Sequence, residues 1–284
     1  MKRKKRDSDF GYSDLPANRA QVFFDVLKLR WKTFLLLGLF LLLGLLPLLA
    51  VLFFRDYYVL SLSYRVSNAE LSLEDANSLN LKAHFTAACI ILPTLLLAAL
   101  PFCGALRIVR QIVWGEPLFF KEDFLLGIKN VYKHAAIAMA FVGAILIIDA
   151  AMPFLTENAI LSSIPIVLFL AFMLPPMLFV LFQANIYQGG FFSFYKNGIL
   201  MYIKEFPKVL LFDVILLSPL FLALMTSFMV VKYIVILVII VFLLPYLLTI
   251  SSLFYNYVFD RYINLRNYPE LIDKGLVRKG EKHD

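Results

Sequence analysis

The sequence predicts an all-α fold: a polytopic membrane helical bundle of six transmembrane helices set out as three hairpins, each preceded by a cytoplasmic amphipathic helix. Three observations predict it. Of the 284 residues 61% are hydrophobic and only 17% charged, at a mean hydropathy of +0.81, which leaves too little polar surface for a chain that folds in water. The hydrophobic residues collect in six runs near 34–54, 84–106, 135–152, 160–182, 209–229 and 233–254, each close to the length that crosses ~30 Å of hydrocarbon at ~1.5 Å per residue. Of the 27 lysines and arginines, 23 lie before the first run, between the second and third, between the fourth and fifth, or after the sixth. The alternate connections hold four. Basic residues in short loops are retained in the cytoplasm, so both termini are expected there.

In order, the chain divides into a basic tail (1–12), a membrane domain (13–260) and a cytoplasmic tail (261–284). Lys2, Arg3, Lys4, Lys5 and Arg6 carry no hydrophobic periodicity and suit anionic lipid. From Ser13 or Asp14 as N-cap a helix is expected to reach Lys32, with Val22, Phe23, Val26, Leu27 and Trp31 on one arc and Gln21, Asp25, Lys28 and Lys32 on the other. Arg19 and Arg30 break this pattern. Such a helix lies in the headgroup layer. Because a 33-residue polar and amphipathic lead precedes the first run and no small-x-small site follows it, that run reads as a span rather than a signal peptide. Residues 55–82 read as one long polar connection, within which Ser72 to Asp75 has the form of a capping box.

The segment Phe120 to Lys133 enters the third run and recurs downstream at a constant offset of 75 residues, pairing Phe124 with Ile199, Ile128 with Ile203, Lys129 with Lys204 and Lys133 with Lys208, and Pro101 with Pro176 upstream. Three entries then share one design. Lys28, Trp31 and Lys32, then Lys129, Tyr132 and Lys133, then Lys204 and Lys208 stand before an inward-starting span and are the candidate contacts to headgroups or a partner protein. Pro101, Pro176 and Pro245 remove an amide donor inside the even spans and are candidate kinks. Gln183, Asn185, Thr249, Ser251 and Ser252 are candidate interhelical hydrogen-bonding groups. Asp149 and Asp213, near span ends, read as boundary residues that reach water or a neighbouring helix.

Catalytic chemistry has little to stand on. Cys89 and Cys103 are 14 residues apart, about 21 Å along a helix, and His84, His134 and His283 are scattered, so neither a disulfide nor a metal set is expected. No phosphate loop, nucleophile elbow or nucleotide fingerprint is present in the sequence. No cofactor is expected and the protein reads as non-enzymatic. The net charge of +7 is topological rather than a nucleic-acid footprint, because the basic residues lie between apolar runs and at the termini. At the end of the chain Tyr255, Tyr257, Phe259 and Tyr262 read as an aromatic belt. Pro269 opens a short helical turn that Gly275 caps, placing Leu271, Ile272 and Leu276 to dock on the cytoplasmic face.

The stretch Arg107 to Ala135, RIVRQIVWGEPLFFKEDFLLGIKNVYKHA, and the tail residues Tyr268, Pro269, Glu270, Gly275 and Leu276 resemble the YesL-like family of bacterial membrane proteins. That resemblance implies a bacterial cell-membrane location, no established catalytic residues and an accessory role beside carbohydrate-utilisation and sugar-transport genes, with ABC sugar-transporter subunits as partners. A different expectation is that the bundle itself carries a small neutral solute. Reporter fusions after residues 65, 122, 157 and 204 check the topology: a cytoplasmic signal is expected at 122 and 204 only, and one at 65 or 157 refutes it.

Overall fold

The computed structural model describes residues 16–276; the basic residues 2–6, the Ser13 and Asp14 caps and the last eight residues lie outside the described range. Among the described residues the chain is all helical, with six helices long and apolar enough to span a membrane. Helix α1 (Arg19–Leu29) starts at Asn18, whose side chain accepts from the Gln21 amide at 2.9 Å, so the cap is Asn18 and not residue 13 or 14. It stops at Arg30 rather than at Lys32. The spans are α2 (Trp31–Ser67), α3 (Leu73–Val113), α4 (Phe120–Ala151), the pair α5 (Ala159–Leu168) and α6 (Leu174–Ile186), α8 (Phe206–Leu224), and the pair α9 (Met229–Val238) and α10 (Leu244–Phe259). Between α6 and α8 stands α7 (Phe191–Lys204).

Leucines and phenylalanines cover the outside of the spans, with Leu43, Phe54, Leu211, Ile215 and Leu222 all exposed. In water so large an apolar surface would aggregate; in a bilayer it is the solvated face. The even spans bury more of themselves than the odd ones. Cys103, Leu106 and Val109 of α3, Phe179 and Phe182 of α6, and Tyr255 and Phe259 of α10 meet in the core.

Four expectations change. Residues 55–82 are not a loop: α2 and α3 run on as helices to Ser67 and from Leu73, so the pair projects roughly 20 Å beyond the expected end of the apolar run at residue 54. The Ser72 cap is present, its hydroxyl accepting from the Asp75 amide at 3.1 Å. The fifth run ends earlier than 229, because α8 stops at Leu224 and Lys232 lies in the first turn of α9. The entry segment at Phe120 is not a separate helix, since α4 continues unbroken to Ala151, whereas α1 and α7 are set off by breaks at Arg30 and Glu205. Finally, the packing equivalent of Gly127, which lies on the Cys103 carbonyl and Gly104, is Gly198, which lies on Pro176 and Phe179. These glycines are 71 residues apart. α6 ends 73 residues after α3 and its connection to the next helix is two residues shorter, so the 75-residue offset does not carry through to the entry helices.

The prolines act through π-helical turns. Phe169–Met173 precedes Pro175 and Pro176, and Ile239–Leu243 precedes Pro245, while Pro101 lies inside an unbroken α3. A proline ring crowds the carbonyl four residues back and cannot donate to it. For Pro175 that carbonyl is Ala171, which accepts from the Tyr202 hydroxyl at 2.6 Å. For Pro245 it is Val241, which lies against Gly38 of α2, where a Cβ would come within 2.0 Å of the oxygen. Gly38→Ala is therefore expected to cost about 1–3 kcal/mol by overpacking and to lower the Tm of the detergent-solubilised protein. Gly190→Ala, with no atom within 4 Å of the added carbon, is the comparison free of overpacking and loses only the preference for glycine over alanine at the N-cap of α7.

Candidate functional site

Both ends of the described chain meet on one face. Arg19 of α1 donates to Asp260 at 2.5 Å and to Asp273 at 3.1 Å, which explains why an arginine interrupts the apolar arc of α1. Asn264 donates to Asp260 at 2.6 Å and Tyr187 donates to Asn264 at 2.6 Å, so the end of α6, the π turn Asp260–Asn264 and the tail are joined through one carboxylate. Burial, followed by the nearby Asp260 charge, raises the Tyr187 phenol above its ordinary pKa and keeps it a donor.

The tail folds back, with Leu276 but not Leu271 or Ile272 packed against the core. The turn Pro269–Leu271 is followed by Gly275 at φ +88, which packs against the Val113 carbonyl and Trp114. Lys274 pairs with Glu116 at 2.6 Å and lies 4.3 Å from the centre of the Trp114 ring; Leu276 packs against the core. Arg110 also approaches Trp114, 4.8 Å from the ring centre. Its guanidinium donates to the Asn185 carbonyl, and the Asn185 side chain donates to the Leu106 carbonyl at 2.8 Å. Deep within the same end Asp123 accepts from Gln111 at 3.1 Å and from the Phe119 amide at 2.9 Å, with Arg107 at 3.5 Å. The entry segment is thus pinned by its acid and its apolar stripe.

The third entry has its own knot. Glu205, 4% exposed, accepts from Lys208 at 2.8 Å, Arg261 at 2.8 Å and Tyr262 at 2.8 Å. The Lys208 ammonium first, then the Tyr262 hydroxyl and Arg261, hold its carboxyl below the ordinary value of 4.5. Lys204 lies 5.0 Å from the centre of the Tyr262 ring.

The contact residues expected from sequence separate cleanly. Lys28, Trp31, Lys32, Lys129, Lys133, Lys204 and Lys208 are exposed, and Tyr132 is half-buried against the core. Of the polar group, Gln183 donates to the Phe194 carbonyl of α7 at 3.0 Å and Asn185 reaches α3. Thr249 and Ser251 instead donate to the carbonyls of Pro245 and Leu247 on their own helix, so they do not form the interhelical bundle expected, and Ser252 is buried beside them. Tyr255 and Phe259 are core rather than belt residues, while Tyr257 remains exposed. Of the two outcomes expected for Asp213, the structure has the neighbouring helix: it is buried near the start of α8 and accepts from the Tyr255 hydroxyl of α10 at 3.1 Å. Asp149 is half-buried at the end of α4.

Arg19, Arg110, Glu205 and Asp260 were not among the expected site residues. For Arg19 the signal was the break in amphipathicity; for Glu205 it was an acid between two lysines at helical spacing. Among the described residues no three His, Cys, Asp or Glu side chains are grouped to hold a metal ion. No family model, curated protein or solved structure matches the chain. The fold and this face belong to a multi-pass membrane protein, and their geometry is that of a charged, braced surface.

A depressed carboxyl stabilises the folded state above its unfolded pKa, and that contribution is lost as pH falls through the folded value. Glu205→Gln is accordingly expected to lower Tm at pH 7, with the gap to the parent closing as pH drops below about 4.5. Thermal scans at both pH values check it; a gap that widens in acid contradicts the assignment.

Proposed function

We propose that the chain is a non-enzymatic accessory or regulatory subunit of a membrane transport complex, and that its terminus-bearing face, on the cytoplasmic side, is the contact surface. In this reading the six spans are three hairpins, each introduced by an entry segment that offers lysine and aromatic side chains. The observation that carries it is the contrast on that face. Its acids Asp123, Glu205 and Asp260 are consumed in internal pairs; against the exposed acids Asp25 and Glu122 of the entry segments, Lys28, Lys32, Lys129, Lys133 and Lys204 stay exposed and make no ion pair among the described residues. A scaffold that pairs its buried acids and displays more cations than acids presents a positive surface to anionic lipid or to an acidic partner.

The partner in this reading is an ABC sugar-transporter subunit of a bacterial cell membrane, and what supports it is the resemblance of Arg107 to Ala135 to the YesL-like family. The tail supports the reading too, because Lys274, Gly275 and Leu276 hold it against the α3–α4 connection, as a docking platform requires. Passage of a neutral sugar through the bundle is disfavoured by the membrane-embedded cavity between α2, α6, α8 and α10. Ser251 and Tyr255 are the polar residues of its otherwise apolar lining, and a polyol there would give up hydrogen bonds that aliphatic walls do not replace.

Gentle-detergent isolation from native membranes tests the proposal. Stoichiometric recovery of transporter subunits, reduced at least several-fold by charge reversal at Lys129, Lys133 and Lys204 together, is expected. Recovery of the chain alone, combined with solute movement when it is reconstituted in liposomes, would establish the facilitator instead.

A further inference from the structure

The cavity between α2, α6, α8 and the α9–α10 pair has a volume of about 350 Å³, within the range of ligand sites. Its walls are aliphatic, with Leu48 and Leu52 of α2 facing Leu217 and Leu220 of α8. Along α10 the lining runs from Leu244 to Tyr255, eleven residues or about 16 Å. That volume over that length leaves a section of roughly 20 Å², room for a single file of carbons at the ~4 Å spacing of van der Waals contact.

One wall is loosely held. Between Asp213 and Ala223 no residue of α8 is buried, and Val214, Ile215 and Leu222 point outward. The helix is fixed at its inner end, where Phe212 stacks on Phe254 at 4.0 Å and Asp213 meets Tyr255. Its middle is therefore a side wall between the cavity and lipid.

The inner end is polar. Leu216, Leu217, Leu220 and Leu224 line the slot, and Asp213 stands on the same helical stripe three and four residues before them. Asp213 is 4% exposed; one carboxyl oxygen accepts from Tyr255, which lines the slot with Ser251, and the other has no hydrogen-bond partner. A buried acceptor left open in hydrocarbon is costly, and a donor arriving with a chain would satisfy it.

We propose that this slot binds one alkyl chain of a membrane amphiphile whose head is a hydroxyl, with the hydroxyl donating to Asp213 and the chain running outward along α10. An acid-headed chain is disfavoured because its oxygens would face those of Asp213. The site is independent of the cytoplasmic contact surface and would stand if that reading fell.

The test uses the full-length protein in lipid nanodiscs with a long-chain alcohol carrying a mid-chain diazirine, beside the matching fatty acid. Photolabelling is expected to map to α2, α8 and α10, to be competed by unlabelled alcohol, and to exceed labelling by the acid severalfold. Leu217→Trp, or Leu48→Phe from the opposite wall if the first fails to fold, should reduce it at least fivefold, and Asp213→Leu should erase the preference for the alcohol. Labelling that is not competed and is unmoved by the filling variants, or equal labelling by acid and alcohol, overturns the proposal.

Discussion

A carbonyl released inside a bilayer has no water to turn to, and the architecture of this chain follows from how it handles that constraint. Prolines at 175 and 245 each release one. The Ala171 oxygen is taken by Tyr202, which requires α7 to lie against the π turn. The Val241 oxygen is covered by Gly38, which requires α2 to approach without a side chain. Two local defects in even spans therefore dictate which neighbours must pack on them and at what distance. Helix association in lipid gains little from the hydrophobic effect, so such close, polar-satisfying contacts carry a larger share of specificity than they would in water.

The same logic sets the polarity gradient of the bundle. Buried polar groups concentrate towards the face that bears the chain ends, where Arg110 bonds Asn185, Glu205 is held by Lys208, Arg261 and Tyr262, and Asn264 bonds the half-buried Asp260. On the far side one acid, Asp56, is shared by Arg55, Lys232 and Tyr233, which ties α2 to α9. Paired charges of this kind contribute little net stability but penalise misassembly heavily, because each separated partner would be left in a poor solvent.

How much was legible in sequence depended on whether the signal was local. The spans were visible because hydrocarbon demands uninterrupted apolar runs, and the Ser72 cap and the Gly275 turn were visible because both are local geometry. The extensions of α2 and α3 were not, since their polar faces resemble a loop. Yet Val59, Leu62, Ser63 and Val66 face Leu73, Ala76, Asn77 and Asn80, spacings of three and four that mark a helix pair. Tyr255 and Phe259 were misplaced for the opposite reason: position relative to a span end says where a residue sits along the membrane normal, but not whether it faces lipid or protein.

The bond between Arg19 and Asp260 spans 241 residues of sequence. At a synthesis rate of roughly 5–20 residues per second, α1 emerges at least ten seconds or so before the carboxylate that seats it. For that interval α1 has α2 and α3 to pack on but not yet α10, and its clasp closes only once Asp260 has been made. The amino-terminal element therefore acquires its full set of contacts only after α10 has been made.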